Sequence, residues 1–142
     1  MKRSLRMTRI ARLSNTEEQI AAQAYAGAQR EVAAQEGQLR NLRAYQIEYL
    51  GRLGNGASLA GYEAQKLRVF VQRIDQAIAS VEQKLHGAVR RCERERLRLV
   101  AYKRRLNVLQ EVASRARRVE IRQAENRLQI EIDDRWRMSP TE

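Results

Sequence analysis

Residues 71–116 read VQRIDQAIASVEQKLHGAVRRCERERLRLVAYKRRLNVLQEVASRA, and an apolar residue recurs in this stretch at alternate steps of three and four residues. The recurring positions are Val71, Ile74, Ile78, Val81, Leu85, Ala88, Cys92, Glu95, Leu99, Tyr102, Leu106, Leu109, Ala113 and Ala116. Only Glu95 among them is charged. A repeat averaging about 3.5 residues keeps one narrow strip of a helix, its seam, against a partner helix. The stretch therefore predicts one strand of a coiled coil.

The composition fits a long seam better than a broad core. Of the 142 residues, 32% are charged and only 5% are aromatic. The only proline is Pro140, so helix breakers are absent from most of the chain. The single cysteine, Cys92, occupies a seam position, where we expect a small buried side chain rather than part of a disulfide framework. A reducing environment fits this usage.

The beginning of the chain does not predict a signal peptide. Lys2, Arg3, Arg6, Arg9 and Arg12 are basic, but no apolar run follows them. No stretch approaches the roughly 18 to 20 apolar residues that a membrane span needs. We therefore expect a cytoplasmic protein that is at most peripherally associated with a membrane.

A second apolar row precedes residue 54 and predicts the partner helix. Its members are Ile10, Leu13, Ile20, Ala24 and Ala28, continued by Val32, Leu39, Leu42, Tyr49 and Leu53. Two successive steps of four join its halves, which is the pattern of a stutter that locally unwinds a supercoil. Ser14 and Glu17 match a capping box, which would start regular helix near this point.

The glycines predict one turn, because most of them lie between Gly51 and Gly61. We therefore predict an all-α fold in which helix 1 (about 9–50) and helix 2 (about 62–136) form an antiparallel coiled-coil hairpin around a turn at 51–61. Residues 1–142 would form a single elongated domain. Leu42 would lie opposite Phe70, and the second helix would overhang the first.

The predicted overhang is expected to bind a partner protein. Its apolar residues still form a row: Ile121, Ala124, Leu128, Ile132 and Trp136. An isolated apolar stripe gains nothing from burial unless something covers it. Fraying and self-association are the alternatives to a partner.

Residues for catalysis or metal binding do not occur at suitable spacing. His86 is the only histidine, and no second His or Cys lies at metal-ligand spacing from it. The glycine cluster lacks the lysine that follows a phosphate-binding loop. Asp133 and Asp134 are expected to be solvated near a helix end. We therefore expect no enzyme activity and no cofactor.

The positive charge predicts an anionic partner. The net charge is +11, and basic residues concentrate between Lys84 and Arg118. Such a helix attracts nucleic acid, an anionic lipid surface or an acidic protein. The densest basic run, residues 90–98, coincides with the seam, whereas a bZIP basic region precedes its zipper. Nucleic acid is therefore not the expected partner, and a basic nucleic-acid-binding or structural dimerisation coiled coil is the alternative class.

The end near the turn has more aromatic residues than a two-helix seam needs. Tyr45 and Tyr49 on helix 1 and Phe70 on helix 2 lie within a few turns of one another. Val71 already fills the seam beside Phe70, so the surplus rings are expected to face outward. Exposed aromatic clusters often anchor protein interfaces. A broader local core that closes the hairpin is the alternative.

Three short blocks of the chain resemble the flagellar type III export family FliJ. Residues 42–49, LRAYQIEY, fit that family's L-x-x-Y-Q-x-E-Y stretch before the turn. Residues 70–78, FVQRIDQAI, are similar to its helix after the turn, and residues 124–128, AENRL, to a third block near the end. The turn is more glycine-rich and about two residues shorter than in the family.

The resemblance implies an antiparallel hairpin like the coiled coil of the γ subunit in rotary ATPases. In that family the end carrying the termini associates with the export ATPase ring (FliI) and promotes hexamer formation. The turn-proximal surface engages the export-gate protein FlhA, which helps to couple export to the proton motive force. Export chaperones and the ATPase regulator FliH are further expected partners. Peripheral association with the inner face of the cell membrane at the flagellar base would follow from these partners.

The resemblance also assigns residues to the two surfaces. The export-gate surface would comprise Gln38, Leu42, Tyr45, Tyr49, Phe70, Ile74, Ala77 and Val81. Ile74 and Val81 are also seam positions, so their role would be indirect. The ATPase-ring surface would comprise Arg117, Arg118, Ile121, Arg122, Leu128 and Trp136. The stalk of a non-flagellar type III secretion system is the closer alternative.

Overall fold

Two long helices make up the part of the chain that the computed structural model describes, residues 2–54 and 61–139. Helix α1 is Lys2–Gly54 and helix α2 is Gly61–Met138, and no strand occurs within these ranges. The two helices pack against each other. Tyr49 lies against Phe70 near the connection, whereas Ser4 lies against Glu120. The predicted all-α antiparallel hairpin is therefore confirmed.

The helix bounds differ from those expected. Helix α1 begins at Lys2 rather than near residue 9, because the Arg-rich start is made of good helix formers. Ser14 lies inside this helix with 2% of its surface exposed, so the predicted capping box is wrong. Gly51 and Gly54 are helical, and Gly61 already belongs to α2. The centre of the predicted turn, residues 55–60, lies outside the described residues.

The seam predicted for α2 is confirmed over its whole length. Each of its positions from Val71 to Ala116 is buried or half-buried, and the charged residue Glu95 is among the half-buried ones. Cys92 is a half-buried free thiol. The repeat identifies the packed side of α2 because large aliphatic side chains occupy most of its positions.

The seam predicted for the first half of α1 is wrong at Ile10, Leu13 and Ile20 and right at Ala28. Ile10, Leu13 and Ile20 are 41%, 63% and 60% exposed, whereas Ala11 and Ala21 are buried. Other residues of α1, such as Ala22 and Ala26, are also half-buried, but one unbroken repeat with no stutter is buried or half-buried at all of its positions. They are Ser4, Met7, Ala11, Ser14, Glu18, Ala21, Tyr25, Ala28, Val32, Gln35, Leu39, Leu42, Gln46, Tyr49 and Leu53.

The chain divides into two compact units. The first comprises Met1–Ala21 with Arg98–Glu142, and the second comprises Ala22–Leu97. The second unit contains the apolar core of Leu39, Ile74, Ile78 and Val81. Leu42, Tyr49 and Leu85 pack against this core and are partly buried.

The pairing of the helices is shifted from the prediction. Phe70 contacts Tyr49 rather than Leu42. In the first unit, Glu17 pairs with Arg105 and Ser4 with Glu120. Helix α2 therefore extends past the start of α1 only from about Ile121. The overhang is shorter than expected, since the prediction ended helix 1 opposite Glu111.

Candidate functional site

Polar pairs cover one flank of the seam in the second unit. Arg43 Nη2 donates to Glu82 Oε1 at 3.3 Å, and Gln46 Nε2 donates to Asp75 Oδ1 at 2.5 Å. Both pairs join α1 to α2. Gln46 itself occupies a seam position, and its amide reaches this side; we call these four residues the polar flank. Their side chains satisfy one another, so this side offers little to a partner beyond exposed polar atoms.

The other flank of the same seam is aromatic, and no such pair joins the two helices there among residues 2–54 and 61–139. Gln38 and Tyr45 of α1 and Phe70 and Ala77 of α2 occupy the seam-flanking positions there. Tyr45 is 53% exposed and Phe70 is 42% exposed, whereas Ala77 is half-buried. We call these four residues the aromatic flank. An exposed Tyr and Phe on the same flank are typical of protein-binding sites.

The structure divides the eight residues proposed for the export gate into two groups. The aromatic flank contains four of them, as described above. Leu42 and Tyr49 are half-buried, and Ile74 and Val81 are 6% and 3% exposed within the core. Ile74 and Val81 therefore lie beneath the exposed surface and cannot themselves contact a partner.

Tyr49 connects the core to the aromatic flank. Its ring lies edge-on to that of Phe70, with centroids 4.7 Å apart and an interplanar angle of 72°. The Arg52 guanidinium lies 4.9 Å from the centre of the Tyr49 ring. These contacts fix the orientation of Phe70, which remains partly open to solvent.

The end of α2 is exposed along its whole described length. Every residue from Ile121 to Ser139 is exposed, including Leu128 at 58% and Trp136 at 77%. Four of the six residues proposed for the ATPase ring lie here: Ile121, Arg122, Leu128 and Trp136. A helix end with such large apolar side chains in water is a candidate binding surface.

A shallow groove joins this end to the beginning of α1. Leu5 of α1 lines it together with Arg117, Ile121 and Ala124 of α2, and its volume is about 380 Å³. Arg117 and Ile121, one helical turn apart on α2, both line this groove, and Leu5, which was not among the proposed residues, is 53% exposed. Arg118 is also exposed, and its guanidinium donates to Ser114 Oγ at 3.4 Å.

Glu120 fixes the start of α1 against α2. The Ser4 hydroxyl donates to Glu120 Oε2, and the Ser4 backbone N–H donates to Oε1 at 3.1 Å. These hydrogen bonds, the hydroxyl first, lower the pKa of Glu120 to about 2, well below the ordinary range of a glutamate. Sequence reasoning missed this contact because it placed the start of α1 elsewhere along α2.

The described residues show neither a metal cluster nor a membrane span. No group of three or more His, Cys, Asp or Glu side chains within residues 2–54 and 61–139 could hold a metal ion. Neither α1 nor α2 contains an apolar stretch long enough to cross a membrane.

Comparison with known proteins identifies the family. A model of the family described as Flagellar FliJ protein matches residues 1–139, which is nearly the whole chain. No curated protein and no solved structure gives a significant match. The chain therefore belongs to the flagellar FliJ protein family, whose members are structural components of the flagellar protein export apparatus.

Proposed function

We propose that the chain is a stalk and adaptor of the export apparatus, which binds the export ATPase ring (FliI) and the gate protein FlhA. The observation that carries this proposal is the exposed end of α2. Leu128, Ile130, Ile132 and Trp136 all remain in water within the described chain. Such a surface is stabilised only when another protein covers it. The stalk acts by binding and coupling and has no chemistry of its own.

The ring-binding end combines apolar and basic side chains. Ile121, Leu128 and Trp136 supply the apolar area, and Arg117, Arg118 and Arg122 supply the charge. Apolar contacts at the centre of such an interface supply most of the affinity, and exposed Arg side chains at its rim speed association. Binding of the exposed end of α2 by several ATPase subunits would promote assembly of the ring.

The gate-binding surface is the aromatic flank. Tyr45 and Phe70 are its exposed anchors, while Ile74 and Val81 support it from the core. Gate binding through this flank would transmit the state of the ATPase to the gate and so couple export to the proton motive force. Export chaperones and FliH are further partners in the proposal, and peripheral membrane association follows from these contacts.

Hydrogen exchange of the full chain tests the ring-binding end. With purified FliI added, we expect slower exchange for the backbone amides of residues 121–136, since a covered helix opens less often. Leu128→Ser combined with Trp136→Ser should abolish this protection. The matched control is Val89→Ser combined with Leu97→Ser, which changes two exposed apolar residues elsewhere on α2. Equal exchange with and without FliI would contradict the proposal.

A further inference from the structure

An exposed apolar face lies on one side of the seam in the first unit. On α1, Ile10, Leu13 and Ile20 are 41%, 63% and 60% exposed. On α2, Val108 and Val119 are 60% and 51% exposed, and Val112 is half-buried. We call these six residues the terminal apolar face.

The helical repeat places these residues on the same side of the seam. The pair between Glu17 and Arg105, with Nη1 3.9 Å from Oε2, marks the seam-flanking positions on this side. Ile10 lies seven residues before Glu17 on α1, and Val112 lies seven residues after Arg105 on α2. Because a coiled-coil position recurs every seven residues, Ile10 and Val112 flank the seam on the same side as that pair. Leu13, Ile20 and Val108 lie directly outside them.

The opposite side of the same unit has a different composition. Thr8 and Asn15 of α1 and Gln110 and Arg117 of α2 line a groove there of about 370 Å³. A seam between only two helices needs apolar residues at its core positions and none outside them. The row of aliphatic residues that lies outside the seam on the side of Ile10 and Val112 therefore indicates a second, uncovered packing surface.

Arginines border the end of the terminal apolar face that contains Val112 and Val119. Arg3 and Arg6 of α1 and Arg115, Val112 and Val119 of α2 line one groove of about 710 Å³. Neither Arg3 nor Arg6 pairs with a carboxylate among the described residues, whereas Arg115 pairs with Glu111 at 2.6 Å. Glu120 also lines the groove and its carboxylate is ionised, but the three arginines outnumber this one acid in the lining. The border of the face is therefore positively charged.

The geometry of the face determines what kind of chain can cover it. Two packed helices offer ridges and a groove but no free strand edge, so an extended peptide would gain no backbone hydrogen bonds. A helix satisfies its own backbone and can insert apolar side chains between the ridges. A second copy of this chain in a face-to-face dimer would bring a second arginine-bordered face against the first instead of an acidic one, and like charges oppose each other.

We infer that the terminal apolar face binds an amphipathic helix of another protein whose apolar stripe is bordered by Glu and Asp. The bound helix covers Ile10, Leu13, Ile20 and Val108 and pairs its acids with Arg3 and Arg6. The resulting arrangement is a three-helix bundle. This surface is separate from Leu128 and Trp136 and from the aromatic flank, and the inference does not depend on the proposed function.

Two designed helical peptides provide the probe. Both have about three heptads with Leu in the apolar positions, and the flanking positions carry Glu in one and Lys in the other. Fluorescence anisotropy with the full chain should give a dissociation constant at least about tenfold lower for the Glu peptide. Its affinity should fall as salt is added. Equal binding of both peptides, or none, would overturn the inference.

Substitutions on the face identify where the peptide binds. Leu13→Gln with Val108→Gln should weaken binding of the Glu peptide by about tenfold or more. The control, Val89→Gln with Leu97→Gln, also replaces an exposed Leu and an exposed Val and should leave the affinity unchanged. Equal losses in the two variants would show that the peptide binds exposed apolar residues without selecting the face.

Charge variants and the oligomeric state complete the test. Arg3→Gln with Arg6→Gln should weaken binding more than Arg9→Gln with Arg12→Gln, although both remove two positive charges. Circular dichroism at 222 nm checks that each variant remains helical. In sedimentation of the chain alone, a dimer that Leu13→Gln with Val108→Gln dissociates would place a second copy on the face and overturn the inference.

Discussion

Ser4 stabilises the start of α1 through an acid on the other helix. The first N–H groups of a helix have no partner within it, and the Glu120 carboxylate accepts from one of them as well as from the Ser4 hydroxyl. Negative charge is also favourable beside the positive end of a helix dipole. Both effects favour the ionised form of Glu120, in agreement with its lowered pKa.

This contact should depend on pH in the acid range. Because folding lowers the pKa of Glu120 to about 2, its contribution to stability is fully present above the unfolded value of about 4.3. The contribution is lost as the pH falls through about 2. In an NMR titration, the Ser4 amide shift should change with a midpoint well below 4.3, and Glu120→Gln should remove that change.

Glu111→Gln is the matched control for this titration. Glu111 pairs with Arg115 on the same helix, so its loss removes an acid without touching Ser4. The Ser4 amide should still titrate in that variant. A midpoint near 4.3 in the unchanged chain would show that the contact with Glu120 is not maintained in solution.

Ser14 shows why individual seam residues were missed in α1. Its side chain is almost fully buried, and its Oγ has no hydrogen-bond partner within the described residues. A buried hydroxyl of this kind costs free energy, so residue type alone favoured Leu13 for the same position. The signal that could have identified Ser14 is the repeat itself, counted backwards without a break from Leu39 and Leu42.

At the scale of the element, α2 could be predicted from the sequence better than α1. Between residues 71 and 116, every Ile and Leu except Leu97 lies at a seam position of α2. The sequence therefore predicts only one seam for this helix. In α1 the large aliphatic residues Ile10, Leu13 and Ile20 lie beside the seam while alanines fill it. The size of the side chains and the seven-residue repeat then predict different buried positions in α1. In the packed pair of helices, the positions of the repeat are the buried ones.

The alanines of the α1 seam should tolerate no larger side chain. Ala28 is 1% exposed, so Ala28→Leu would force the helices apart or the added atoms into strained positions. We expect a loss of about 1–3 kcal/mol in the free energy of unfolding. Urea denaturation followed by circular dichroism measures it.

Ala33→Leu is the control, because Ala33 is an exposed residue of the same helix. Its free energy of unfolding should change by less than about 0.5 kcal/mol. If both variants unfold at the same urea concentration, the two helices are not closely packed at Ala28.

For the whole molecule, the order of the elements was easier to predict than the surfaces. The glycine cluster and the two seams were sufficient for an antiparallel pair of helices. The accessibility of each residue of the proposed gate surface depends on which residues of α1 and α2 lie opposite each other. The observed pairing differs from the predicted one, so that Phe70 contacts Tyr49 instead of Leu42. The exposed residues Leu13 and Val108 could not be related to each other from sequence, because their common side depends on that same pairing.

The proposed stalk function requires that one chain binds two proteins through different residues. Tyr45→Ala with Phe70→Ala should weaken binding to FlhA by about tenfold or more, because exposed aromatic anchors supply much of the affinity of protein interfaces. Binding to FliI should stay unchanged. Surface plasmon resonance of the full chain with each partner measures both affinities.

The opposite flank of the same seam provides the control for this experiment. Arg43→Ala with Gln46→Ala removes the polar pairs with Glu82 and Asp75 but leaves the aromatic flank intact. Exposed pairs of this kind contribute little to stability, so the variant should fold and bind FlhA normally.

Tyr45→Ala alone is also needed, because Phe70 contacts Tyr49 and its loss could disturb the core. Tyr45 is 53% exposed, so its loss should weaken FlhA binding without changing the urea midpoint. Equal FlhA affinity in the aromatic and polar variants would show that FlhA does not bind the aromatic flank. A loss of FliI binding in the aromatic variant would show that the two binding sites are not separate.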